Sequence, residues 1–171
     1  MKLFITADHH FNHKNIIEYC KRPFKTVEEM DKAMIEKWNN KVGRDDLVIH
    51  LGDFALGTKD NVKETREKLN GAIIILIKGN HDGVNEGFIV VRDSIQIGNI
   101  LFSHRPIPKG EVPKGCINVH SHIHEKESLI GINVSVEKTD YEPIILEDLE
   151  KMINERASIK RDKEKERSEK I

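Results

Sequence analysis

The chain has 171 residues and a mass of 19.7 kDa. That is the length of one domain, since single cores stop growing beyond about 250–300 residues. Charged residues make up 33% and aromatics 5%, so aliphatic side chains must build the core. The 28 Lys+Arg against 29 Asp+Glu leave a net charge of -1 and no global basic field for a nucleic acid. The longest wholly apolar run, Ala72 to Ile77, is far below the roughly 20 residues that span a bilayer. A carboxylate at Asp8 comes too early for a signal-peptide core. Cys20 and Cys116 are too few for a disulfide framework or a Cys-rich zinc site, and as reduced thiols they point to a cytoplasmic protein.

In chain order, the first strand is predicted at Leu3–Ala7. Helical signals come next: Thr26 and Glu29 form a capping box, and Met30, Met34 and Trp38 share a helical face up to Lys41. Leu47–Leu51 is the next strand, then a helix from Asp60 to Leu69 stopped by Asn70-Gly71, then the strand Ala72–Ile77. These three strands are near-continuously apolar, which predicts burial on both faces, and the rhythm β-α-α-β-α-β is that of an α/β fold. The second half predicts short strands at Phe88–Val91, Ser94–Ile97, Ile100–His104, Cys116–Val119, Leu129–Val136 and Pro143–Leu146, with more antiparallel pairing. Gly98-Asn99 is a hairpin turn. Residues 1–154 form the folded domain, and 155–171, rich in both charge signs, form a solvated helix or frayed tail, with a partner-contact arm as the sharper alternative.

The chemistry is concentrated immediately after the apolar runs. Asp8-His9-His10, Gly52-Asp53, Gly79-Asn80-His81-Asp82, His104, and His120-Ser121-His122-Ile123-His124 each stand at a strand end. In open α/β sheets the carboxyl ends of strands face the ligand crevice, so these groups are expected in one shared space. They offer O and N donors without thiolate, which suits Mn, Fe, Ni, Co or Zn. Singly, Asp8-x-His10 and Gly52-Asp53 are ordinary turn sequences. Together and in this order, they are a metal constellation.

The ordered set D-x-H, G-D, G-N-H-D, H and x-H-x-H, running from Asp8 to His124, resembles the calcineurin-like metallophosphoesterase superfamily. Ser121 stands where that family usually has Gly, which questions the local backbone angle. The resemblance implies a four-layer α/β/β/α sandwich of two mixed sheets flanked by helices, with a dinuclear centre of divalent ions, manganese first. One ion would take Asp8, His10, Asp53 and His124. The second would take Asp53, Asn80, His104 and His122, with Asp53 bridging. Because Asn80 is neutral, the centre stays electropositive and attracts a phosphate oxygen, so Asn80 also serves substrate binding.

His81 is the natural partner of the leaving group, with Asp82 fixing its tautomer. His13, expected on the first turn of a helix, either touches substrate or caps that turn. Arg105 either forks onto a phosphate or makes a surface ion pair. His9, His50 and His120 alternate away from the ligands as packing or supporting groups. The Pro-rich segment 106–115 is a cleft wall or a rigid connector. The expected function is metal-dependent hydrolysis of a small phosphodiester by metal-bound hydroxide, with nucleotide-derived esters and monoesters among the candidate substrates. No membrane partner is implied, and the chain is expected as a monomer or small homo-oligomer. Two alternatives stand beside this. The complete ligand set weighs against a non-catalytic scaffold for protein contacts, and scarce aromatics with near-neutral charge weigh against a nuclease on DNA or RNA strands.

Overall fold

The computed structural model describes residues 1–83 and 86–168, with side chains as far as Ser158. The elements are β1 (Leu3–Thr6), α1 (Ile16–Tyr19), α2 (Val27–Lys41), β2 (Leu47–His50), α3 (Lys59–Glu67), β3 (Ile73–Ile77), β4 (Ile89–Val91), β5 (Ser94–Ile97), β6 (Ile100–Ser103), β7 (Ile117–His120), β8 (Ile132–Asn133), β9 (Ile144–Ile145) and α4 (Leu146–Ser168). Two mixed sheets form, in the orders β4-β3-β2-β1-β9 and β5-β6-β7-β8. The predicted sandwich of two mixed sheets with flanking helices is the observed fold.

The continuous apolar runs explain why two sheets stack. Side chains alternate across a strand, so Phe4, Val48, Ile74 and Leu76 face one way, into a core with Met30, Met34, Trp38 and Val62 of α2 and α3. Ile5, Ile49 and Ile77 face the other way and meet Ile100, Phe102 and Val119 of the second sheet. Leu149 of α4 joins that second core, and α4 packs along β9 and β1. Both faces of β1–β3 are thus buried, which the parallel pairing of these strands requires. Thr26 caps α2, accepting a bond from the Glu29 N–H, but the predicted box is only half formed, because the Glu29 carboxylate accepts from the Lys25 N–H instead of Thr26.

The second half departs from its predicted elements in three ways. Leu129–Val136 yields only β8, because Gly131 turns the chain at φ 69° and Val136–Lys138 coil into a 3₁₀ turn. Pro143–Leu146 yields only β9, since Leu146 already opens α4. Antiparallel pairing is limited to β5–β6 and β1–β9 among the described residues, whereas β6–β7 and β7–β8 are parallel. Parallel neighbours need a long return connection, and this is the work of the Pro-rich segment between β6 and β7. α4 runs unbroken through position 154. Of the charged tail, Arg156 donates to the Ser128 carbonyl at 2.8 Å, and the side chains beyond Ser158 lie outside the described residues. Among the described residues no helix is long and apolar enough to cross a membrane.

Trp38 is fully buried and donates its indole N–H to the Asn70 carbonyl, so α2 is pinned to the α3–β3 loop by both packing and a hydrogen bond. Trp38→Ala should lower unfolding free energy by about 3–5 kcal/mol, read as a shift in the denaturant midpoint.

Candidate metal centre

Beyond β1 and β2 the chain keeps its parallel partnership as two loops. Asp8 N–H donates to the Gly52 carbonyl and His10 N–H to the Asp53 carbonyl, both at 3.0 Å. These bonds hold Asp8, His10 and Asp53 side by side. Five of the expected ligands have left-handed backbones: Asp8 (φ 56°), His10 (51°), Asp53 (55°), His122 (72°) and His124 (51°). Non-glycine residues adopt this region rarely, and such strain concentrates at functional sites. The strand-end glycines serve the same convergence. A Cβ at Gly79 would overlap the Asp53 carboxylate, and one at Gly52 would stand 2.6 Å from the Gly79 nitrogen.

The side chains gather in two adjoining clusters. Asp8, His10 and His124 form one, and Asp53, His104 and His122 the other, with the donor atoms in each within 4.8 Å of one another. Asp53 Oδ2 lies 3.5 Å from His10 Nε2 and 3.5 Å from His104 Nε2, midway between the clusters. Asn80 Oδ1 is 3.0 Å from His104 Nε2, and His122 Nδ1 is 3.1 Å from the same atom. All seven expected ligands are therefore brought together.

The placement of protons tests whether a cation fits. His104 Nδ1 is 2.8 Å from the Leu51 carbonyl, which can only accept, so that nitrogen carries the proton and Nε2 presents a lone pair. This lone pair faces an amide oxygen and a carboxylate oxygen. On the other side, Asp8 Oδ1 and His10 Nε2 are buried with no hydrogen-bond partner. Buried polar atoms left without partners in this way are costly unless a cation lies among them. The residues fit two divalent ions bound by oxygen and imidazole nitrogen.

Burial shifts the titrations accordingly. Asp8 is raised to about 6 by burial, against the pull of His124 and His104. His10 is pushed well down by burial and by the neighbouring His124, Arg22 and His13. His122 falls to about 4 through burial and the charges of His104 and Arg105. His124 is the exception. Burial works against its proton, yet hydrogen bonds to Cys20 and Glu137 and the charge of Asp8 push it up to about 10.

Three residues behind His124 carry no signal in the sequence. Buried Arg22 donates to the carbonyls of Asp8 (2.6 Å) and His9 (2.7 Å) and pairs with Glu137 at 2.7 Å. Glu137 Oε1 in turn stands 3.1 Å from His124 Nδ1, which leaves His124 Nε2 for the Asp8–His10 cluster. Cys20 completes a further group with His124 and Glu137. No local pattern marks Arg22 and Glu137, which are 115 positions apart.

The remaining predicted residues divide. His81 is exposed beside the cluster, its backbone N–H donating to Asp53 Oδ1 at 2.8 Å and its ring 5.1 Å from that of His10. Asp82 does not serve His81 through its ring. Its buried carboxylate accepts the N–H groups of Gly79, Asp53 and Phe54, so it clamps the β3 loop to the β2 loop. His13 precedes α1 rather than opening it, with Nδ1 3.2 Å from His10 Nδ1. Arg105 is exposed at the rim of a cleft of about 450 Å³ that also contains Asn80 and His104, and it makes no ion pair among the described residues. The cleft is walled by Pro106–Pro108, so the Pro-rich segment is both wall and connector. A larger groove of about 780 Å³ sits between that segment and α4 and touches none of the seven ligands.

His9 and His50 are fully buried and joined ring to ring at 2.9 Å, and His120 holds Ser128 and the Ile130 carbonyl. Ser121 has no left-handed backbone, so it needs no glycine there. Its hydroxyl reaches the Leu51 and His104 carbonyls and ties β2, β6 and β7 together.

The two-sheet sandwich thus gathers Asp, Asn and His donors at its strand ends into a candidate metal centre. The chain belongs to the calcineurin-like phosphoesterase family, whose model matches residues 1–166. It is 38% identical over 164 residues to an uncharacterized protein of Methanocaldococcus jannaschii, covering 89% of this chain and 91% of that one. The gene 66 protein of Mycobacterium phage L5 is 34% identical over 89 residues, 47% of this chain and 39% of its own. A protein of unknown function from Aquifex aeolicus superposes with a TM-score of 0.71 at 24% identity, covering 88% of this chain and 98% of that one, and so shares the fold.

Six histidines (His9, His10, His13, His50, His120 and His122) are held below their ordinary range by burial, against two aspartates, Asp8 and Asp31, raised by it. A depressed histidine stays neutral in the folded chain while the unfolded chain takes up its proton, so stability present above pH 6.5 is lost as pH falls toward 4, where His50 and His122 titrate. In EDTA, the urea midpoint should therefore drop steadily between pH 7 and pH 4. A flat midpoint over that range contradicts the assignment.

Proposed function

We propose that this protein is a metal-dependent phosphodiesterase acting on small phosphoesters in the cytoplasm. Asp8, His10, Asp53 and His124 would hold one divalent ion, and Asp53, Asn80, His104 and His122 a second, with manganese the favoured metal. The observation that carries the reading is the equal 3.5 Å separation of Asp53 Oδ2 from His10 Nε2 and His104 Nε2. That distance is too long for a hydrogen bond and suits a carboxylate shared between two cations.

The ions would supply Lewis acidity, polarising the phosphoryl oxygens and easing deprotonation of the attacking water. The chain's own residues do the rest. Asn80 would ligate without adding negative charge, which would keep the centre attractive to a phosphate. Glu137 orients His124, and Arg22 orients Glu137, so two buried groups fix one ring. His81, anchored through its backbone to the Asp53 carboxylate and exposed beside the two clusters, donates a proton to the departing alkoxide. His13 packs beside His10 and His81 and borders the same space.

Hydrolysis of bis(p-nitrophenyl) phosphate should vanish in EDTA and return with Mn²⁺. His81→Ala should lower kcat about 10²–10⁴-fold while leaving manganese affinity intact, because the His81 ring is not a ligand. Asp53→Asn should weaken both metal sites together, read by calorimetric titration with Mn²⁺. Turnover indifferent to chelator would sink the proposal.

A further inference from the structure

The cleft beside Asn80 and His104 is rimmed by three cations from the same ends of the sheets that supply the ligands. Lys78 directly follows β3, Arg92 directly follows β4, and Arg105 lies two residues beyond β6. Each is exposed, and among the described residues none forms an ion pair, although Asp93 lines the same cleft. Unpaired cations converging on one concavity next to a metal cluster form a local positive field in a protein whose net charge is only -1.

The positions of these cations are built rather than incidental. The Arg105 carbonyl accepts the buried Ser103 hydroxyl at 2.7 Å, and Asn118 binds both that hydroxyl and the Ile107 N–H at 2.9 Å. Lys78 N–H donates to the Val91 carbonyl at 2.8 Å, which sets Lys78 beside Arg92. The backbones that carry all three are therefore fixed before any ligand arrives, which lowers the entropy lost on binding.

Resting on the phosphodiesterase reading, we infer that Lys78, Arg92 and Arg105 form a second anion subsite, so that the substrate carries a further phosphate beside the scissile ester. The volume, about 450 Å³, suits a nucleotide-sized molecule. A strand of nucleic acid also presents neighbouring phosphates. Three cations in one cleft, in a chain with no net positive charge to guide a long polyanion, commit the site to a small bisphosphate instead.

The test is equilibrium binding to the manganese-loaded protein. Adenosine 3′,5′-bisphosphate should bind at least about tenfold more tightly than adenosine 5′-monophosphate, the gain expected of charge-assisted bonds to one phosphate. In the double variant Arg92→Gln/Arg105→Gln, and separately in Lys78→Gln, that ratio should shrink toward about twofold by the same arithmetic. Arg105→Lys should recover part of it. All these side chains are exposed, so the variants should fold, and circular dichroism checks this. A thymidine hexanucleotide should bind no more tightly than the bisphosphate. A wild-type ratio near one, or a ratio the variants leave unchanged, overturns the subsite. Affinity that keeps climbing with each added nucleotide overturns the small-molecule assignment. Absence of bis(p-nitrophenyl) phosphate hydrolysis with the ratio intact strikes the phosphodiesterase reading and leaves the subsite standing.

Discussion

A buried carboxylate oxygen equidistant from two imidazole nitrogens, none of them bonded to the others, is the constraint around which this protein is built. Desolvated polar atoms without partners are unfavourable, and each one costs on the order of 1–3 kcal/mol. Asp8 Oδ1 and His10 Nε2 are buried in the same space without partners. For a fold that is only marginally stable in total, several such groups are a heavy cost, which a positive charge among them would offset. The strained backbones at Asp8, His10, Asp53, His122 and His124 arise from the same demand, since a strand that continued extended would carry its side chains past one another.

The supporting structure shows how that demand is met. Arg22 touches both halves of the problem, holding the carbonyls at the Asp8 turn and the carboxylate that orients His124. Its burial would be unfavourable for a lone cation, but with two carbonyls, Glu137 and the Tyr141 ring around it, the guanidinium is fully engaged. Asp82 performs the matching task on the other side, locking the Gly79–Asn80 loop against Asp53 with three backbone bonds.

Most of the centre is legible in the sequence because its ligands come from strand ends, where buried apolar runs stop abruptly at Asp, Asn and His. The apolar runs of β1, β2 and β3 and the Thr26 cap of α2 are readable for the same reason: they are local signals. The hidden part is long-range. Arg22 sits in an ordinary charged stretch and Glu137 in a turn-rich one, and only the fold, which sets the segment after α1 beside the 3₁₀ turn, joins them. Asp82 misleads because adjacency to His81 in sequence suggests a ring contact, whereas the loop directs its carboxylate toward neighbouring N–H groups. β8 and β9, at two residues each, carry too little pattern to be bounded without their partners.

Ser121 illustrates how far a family pattern constrains chemistry and where it stops. Glycine at that position is needed only if the backbone must turn left-handed or another chain segment must come within Cβ distance. Here the left turn is taken one residue later, at His122, and the space beside Ser121 is occupied by its own hydroxyl bridging the Leu51 and His104 carbonyls. The hydroxyl also lies 3.1 Å from His104 Nδ1, so it shares the carbonyl that fixes the tautomer of His104. A glycine would leave Leu51 with the imidazole alone. The serine thus strengthens the link between β2 and β7 that keeps His104 Nε2 directed at Asp53, and the departure from the pattern supports the same geometry by a different bond.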